Sequence, residues 1–146
     1  MSDISWTAVE DAVVAAVQAQ IGDQVKTLKT YQGNWREDVR REGWRLPAVL
    51  VGLEESRAAQ VGLSSYDLTL EVSILVIGGA LRGETAARRE EGGVYDLLAG
   101  IRQALWHQDL GLTMLPLALV KEEPLLSSRE YAVYAVHFRT ALVKDF

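Results

Sequence analysis

The chain has 146 residues, with 15 Lys plus Arg against 20 Asp plus Glu, 49% hydrophobic residues and no cysteine, the composition of an ordinary globular domain. Without cysteine there is no disulfide framework, no thiolate-bound zinc and no thiol nucleophile. A formal charge of −5 argues against a protein that works by neutralising phosphates, so no sequence-specific nucleic-acid binding is expected. A chain near this length buries roughly 68–70% of the surface its unfolded form exposes, so a single domain over residues 1–146 is expected. The N-terminal Met-Ser-Asp-Ile-Ser-Trp lacks the basic start and apolar run of a signal peptide. The longest mostly apolar stretch, Leu68 to Ala80, is interrupted by Thr69, Glu71 and Ser73 and falls short of the ~20 apolar residues a membrane helix needs. The expectation is a soluble, cytoplasmic protein without a membrane segment.

The first element reads as a helix from Thr7, where Thr7-Ala8-Val9-Glu10 has capping-box spacing. Val9, Ala12, Val13, Ala16 and Val17 form one apolar stripe, and Gly22-Asp23 ends it. Val25 to Tyr31 mixes β-branched and aromatic residues with two lysines, as a half-solvated or edge strand does. Gln32 to Arg45 reads as a polar loop with two glycines, two tryptophans and seven charges, long enough to need a function in a compact domain. Leu46 to Leu53 is almost wholly apolar, which predicts a strand covered on both faces. A polar connection, Glu54 to Ser65, leads to the clearest strand, Tyr66 to Ile77. Its residues Leu68, Leu70, Val72, Ile74 and Val76 alternate with Asp67, Thr69, Glu71 and Ser73.

Gly78-Gly79 breaks that strand, and Leu81 to Gly93 is another segment of mixed charge. Val94, Leu97, Leu98, Ile101 and Leu105 predict a helix running to about His107. Its start, near Thr85 or after Gly92-Gly93, stays open because paired glycines cost ~2 kcal/mol inside a helix. Met114 to Glu123 and Tyr131 to Val143 read as two strands joined by a turn over Pro124 to Glu130. The order α-β-β-β-α-β-β predicts an α+β fold: a mostly antiparallel sheet of about five strands with two main helices packed on one face.

No catalytic set, cofactor site or metal site is read in this sequence. His107 and His137 stand in no HExxH or His-x-His pattern; His107 is expected in the last helical turn and His137 as an outward or satisfied strand residue. Ser64-Ser65 and Ser127-Ser128 lie in no nucleophile elbow, and Gly78 to Gly83 lacks the Gly-Lys-Ser/Thr of a phosphate loop. A site assembled from distant residues would draw on Asp67, Glu71 and His137. The two mixed-charge segments are the candidate interaction surface: Trp35, Arg36, Arg40, Arg41, Trp44 and Arg45 in the first, Arg82, Arg88 and Arg89 in the second. Arginine and tryptophan concentrate at the energetic centres of interfaces. The alternative is a solvated loop whose tryptophans fold back onto the core.

Several stretches together carry a resemblance. Thr7 to Val17, Lys29-Thr30-Tyr31-Gln32-Gly33, Leu46 to Val51, Leu81-Arg82-Gly83-Glu84, Gly93 to Leu98, Gln108 to Leu112, Tyr131 to Tyr134 and Phe138-Arg139-Thr140 resemble, in order and spacing along nearly the whole chain, the small Mu-like phage and prophage tail proteins. The resemblance implies a tail terminator, or tail completion protein, with an α+β fold. Such a subunit joins a homo-hexameric ring that caps the tail tube and sheath, stops their polymerisation and offers a surface to the head connector protein. It implies assembly in the host cytoplasm and a final place in the virion tail. A head-to-tail joining protein is the nearest alternative, and a small-molecule-binding α+β domain a more distant one.

Overall fold

The computed structural model describes residues 5–80 and 83–145. In chain order they form α1 (Trp6–Ile21), β1 (Thr27–Thr30), α2 (Trp35–Arg41), β2 (Ala48–Gln60), β3 (Ser65–Gly79), α3 (Glu84–Arg89), α4 (Val94–Leu105), β4 (Ala118–Ser127) and β5 (Tyr131–Asp145). The five strands make one sheet in the order β1-β2-β3-β5-β4. Every pairing is antiparallel except β1 with β2. The expected α+β class is therefore correct, with two short helices added to the two main ones.

β3 lies at the centre, paired with β2 from Gln60↔Tyr66 to Ala48↔Ile77 and with β5 from Ser65↔Asp145 to Gly79↔Tyr131. Its alternation sends Leu70, Val72, Ile74 and Val76 to one face. There they join Val49, Val51 and Leu53 of β2, Val136 and Phe138 of β5, and the inner stripes of α1 and α4. Val9, Val13, Val17 and Ile21 of α1 and Leu97, Ile101 and Leu105 of α4 are buried in this core. The two long helices thus cover one face, as the period-3.6 stripes require.

The helices also meet each other, and Gly100 of α4 is where they do. A Cβ built there would stand 2.3 Å from Cγ2 of the buried Ile21. Glycine is retained mid-helix, at a propensity cost of about 1 kcal/mol, because only a hydrogen fits under Ile21.

Several boundaries differ from those the sequence suggested. Ser5, not Thr7, caps α1: its hydroxyl accepts the Ala8 amide at 3.1 Å. An earlier hydroxyl with the same three-residue reach displaces the expected capping box. Gln32 to Arg45 is not simply a loop, since Trp35–Arg41 is helical and capped by the Asn34 side chain at 3.2 Å. The physical reason is the parallel pairing of β1 with β2, which demands a long crossover rather than a hairpin. β2 runs on to Gln60 through what reads as polar connection. The template edge of β3 holds it there, although neither face of that half is buried enough to leave a hydrophobic pattern. β4 begins later, at Ala118, and contains Pro124, which an edge strand with bulges on either side tolerates. Both candidate starts of the second helix exist, as α3 and α4 separated by Gly92-Gly93. α4 ends at Leu105, so His107 lies beyond it, at φ 65° and stacked on Trp106.

Replacing Gly100 tests the helix contact. Overpacking of a tight core costs about 1–3 kcal/mol. Gly100→Leu is therefore expected to lower the urea midpoint despite the better helix propensity of leucine. An unchanged midpoint would show that α1 and α4 separate freely.

Candidate functional site

The second face of the sheet carries the less regular features. At the end where β2 begins and β3 finishes, Ala48, Leu50, Ile77 and Val133 form a smaller buried cluster with Val39 of α2. Trp35, Trp44, Tyr31 and Leu46 pack around it. The Tyr31 ring meets Trp44 edge-on at 5.2 Å, and its hydroxyl donates to the Asp38 carboxylate at 2.5 Å. That bond and Val39 pin α2 to the sheet. Burial first, and the Asp38 carboxylate next, push the Tyr31 phenol up to about 12.

The expected interface residues are placed as follows. Trp35 and Trp44 are half-buried and fold back toward this cluster. Arg36 stacks on Trp35 at 4.5 Å and donates to the Leu125 carbonyl at 3.3 Å. Arg40 pairs with Glu130 at 2.8 Å, tying α2 to the β4–β5 turn. Arg41 and Arg45 have exposed side chains with no ion pair among the described residues. Arg88 lies against Tyr95, its Nη1 donating to the phenol at 2.9 Å, while Arg89 is exposed. Arg82 lies outside the described residues. α2 sits over one face, whereas α3 sits near Gly78 on the other, so the two arginine segments share one end of the sheet but not one surface.

Next to α2, the open part of the second face holds a cleft of ≈ 400 Å³. Tyr31 and Trp35 wall it on the α2 side; Glu54, Ser73, Glu123 and His137 line it toward the open sheet. Gly52 keeps its wall low, since a Cβ there would stand 2.7 Å from the Tyr31 carbonyl oxygen. A register shift between Leu53 and Glu55 places a β-bulge at Glu54, and another between Pro124 and Leu126 places one at Leu125. Bulges re-aim side chains, and both of these residues line the cleft. His137, only 13% exposed, lies between two carboxylates: Nδ1 is 3.7 Å from Glu54 and Nε2 is 3.8 Å from Glu123. Lys121 pairs with Glu123 at 2.8 Å; their hydrogen bond holds the Glu123 carboxyl below its ordinary value and Lys121 above its own.

The distant-residue site imagined from sequence does not assemble. Glu71 is paired with Arg139 at 3.4 Å, Asp67 lies opposite Val143 far along β5, and His137 faces Ser73. Among the described residues no group of three or more His, Cys, Asp or Glu is arranged to hold a metal ion, and no helix is long and apolar enough to cross a membrane.

The β2–β3 hairpin forms the far end of the sheet. Its tip carries Leu63, 99% exposed, and Val61, 58% exposed. β1 covers β2 only from Ala48 to Val51, so the outer edge from Glu54 to Gln60 is unpaired. Nearby, Leu112, Met114, Leu115 and Val143 line an apolar cavity of ≈ 390 Å³.

Residues 5–143 match the family described as Bacteriophage Mu, Gp37. The chain belongs to that family. The Mu-like phage family expected from the sequence is thus the correct one, and the match spans every element from α1 into β5. None of the curated proteins is similar enough to this Mu Gp37 family member to count as a match.

Sequence reasoning missed the cleft of this family member because its residues come from six elements or their flanks. The one available signal was Glu54-Glu55 directly after an apolar strand, where a bulge separates the two carboxylates: Glu55 turns to Arg57 at 3.0 Å and Glu54 to His137.

The Tyr31–Asp38 bond has a pH signature. The folded phenol ionises near 12 and the unfolded one near 10. Its contribution to stability is therefore fully present below pH 10 and is lost as pH rises through 12. Asp38→Asn is expected to lower the Tyr31 value without restoring the ordinary one, because burial remains. Phenolate absorbance, with Tyr31→Phe as the subtraction control, checks this; an unmoved titration would show that Asp38 is irrelevant to it.

Proposed function

We propose that this Mu Gp37 family member is a structural, non-catalytic tail terminator. In this reading it forms a homo-hexameric ring that caps the tail tube and sheath, ends their polymerisation and offers the head connector its docking surface. It assembles in the host cytoplasm and remains in the virion tail. The observation that carries the reading is the family match over residues 5–143. The geometry is compatible with it in a specific way.

A ring that closes needs heterologous contacts, two different surfaces on each subunit. Two unlike surfaces at opposite ends of β3, a 15-residue strand that spans about 45–50 Å at 3.3–3.4 Å per residue, support this reading. One end bears the arginines of α2 and α3; the other bears the hairpin tip and its unpaired edge. A ring of subunits each carrying a formal −5 also repels the phosphates of DNA passing through its lumen.

Light scattering on a gel-filtration column over a concentration series, with negative-stain imaging of any large peak and of added tail tubes, tests the proposal. The expected result is a concentration-dependent closed ring, or a ring that forms on the tube end. Arg41→Glu with Arg45→Glu is expected to reduce ring formation by tenfold or more with an unchanged circular dichroism spectrum. A chain that stays monomeric with and without tubes would overturn the terminator reading, and binding to connector rings but not to tubes would replace it with the joining role.

A further inference from the structure

We propose that the cleft between α2 and the open sheet face is a receptor for an arginine side chain supplied by a second copy of the chain. This deepens the ring reading and rests on it for the identity of the donor.

The argument starts from charge. Glu54 forms no ion pair with Lys or Arg among the described residues; the His137 ring stands 3.7 Å from it, longer than a hydrogen bond, and Lys121 feels its charge from farther off. On the opposite side of that ring, Nε2 is shielded from solvent and has no hydrogen-bond partner, with Glu123 at 3.8 Å. Glu123 is answered from the solvent side by Lys121. The ring lies between two carboxylates, and Glu54, unlike Glu123, has no lysine or arginine in contact with it among the described residues.

Shape narrows the ligand. Beside the carboxylates, Leu75, Leu125 and Ala135 offer an apolar floor, and Trp35 and Tyr31 stand above it. A site with an apolar channel, aromatic walls and carboxylates at its end suits a long aliphatic stem tipped by a planar cation. Arginine matches this best, since its guanidinium stacks on aromatic faces and forks onto carboxylates. Arg36 of the same chain already stacks on Trp35 and reaches the Leu125 carbonyl at the rim, which shows that the wall accepts a guanidinium, although Arg36 does not reach Glu54. A metal ion is a poorer fit, because the two carboxylates face different nitrogens of one ring and no three groups converge. The bulges at Glu54 and Leu125 bring these residues to the cleft from both flanking strands.

The donor is on the same chain. Arg41, Arg45 and Arg89 are exposed and form no ion pair among the described residues, so each copy offers both a cationic side chain and an acidic slot. That is the head-to-tail complementarity a closed ring uses.

The test titrates the full-length protein with Nα-acetyl-arginine N-methylamide while following the His137 ring and Trp35 indole signals by NMR, with the citrulline analogue as the uncharged control. Saturable shifts of both reporters by the arginine probe, weakened at least tenfold for citrulline and for Glu54→Gln, are expected. No shift, or equal shifts from citrulline, would overturn the receptor. Glu54→Gln with Glu123→Gln is then tested for assembly: loss of ring formation with an unchanged circular dichroism spectrum supports the second copy as donor. Rings that persist in a variant blind to the probe would overturn the donor assignment while leaving the terminator reading intact.

Discussion

The register of β3 is the constraint on which the other features depend. It is paired on both sides along nearly its whole length, and its side chains alternate with period two, so a slip of one residue would exchange its faces. In the observed register Leu70, Val72, Ile74 and Val76 lie under α1 and α4. The same register puts Glu71, Ser73, Leu75 and Ile77 on the opposite face, in that order. That face therefore changes from charged to apolar along a single strand. The apolar end requires a cover, which α2 provides through Val39, and the polar end stays open. The cleft lies where the two regimes meet, with Ser73 and Leu75 both in its lining.

The parallel pairing of β1 with β2 has a comparable effect at shorter range. It obliges residues 31–47 to cross the sheet, and the crossing segment is what brings Tyr31, Trp35 and Arg36 beside β2, β3 and β4. An antiparallel hairpin between the same strands would have left the second face bare. Because β1 is only four residues long, its cover of β2 ends at Val51, with the Gln32 side chain reaching Leu53 by a hydrogen bond of 2.7 Å to its carbonyl. The remainder of β2 is both a sheet edge and half of the β2–β3 hairpin. Its charged residues, Glu54, Glu55 and Arg57, and its bulge are devices that discourage indiscriminate edge pairing. The tip beyond them, with Val61 and Leu63, carries no charge.

The parts of the fold legible in the sequence were those whose burial is one-sided and regular. α1, α4 and β3 write their inner faces directly into the chain as Val9-Val13-Val17, Leu97-Ile101-Leu105 and Leu70-Val72-Ile74-Val76. β2 beyond Leu53 buries neither face, so pairing alone makes it a strand and hydropathy does not mark it. α2 is seven residues with one buried position, Val39, too short for periodicity to emerge from a run rich in charge. The Asn34 cap was the remaining local signal, and it reads equally well as a turn residue. Composition drew attention to the arginine segments but not to their geometry: Arg40 is taken up by Glu130 and Arg36 by Trp35, while Arg41 and Arg45 point to solvent. The cleft was hidden for a different reason, since Tyr31, Glu54, Ser73, Glu123 and His137 become neighbours only once the strand order and two bulges are known.

A subunit whose two ends differ is suited to closure in a way that a symmetric subunit is not. Self-complementary patches pair two copies and stop, whereas unlike patches continue from copy to copy until the rotation between them brings the last to the first. In this chain the arginine-bearing end and the hairpin tip lie at opposite ends of β3, and the packed layer of α1 and α4 stiffens the sheet between them. In the proposed ring, the rotation per copy would be set by a rigid body rather than by a flexible linker. Local placement of charge on the second face, rather than extensive apolar burial, is then the feature that would select the correct neighbour.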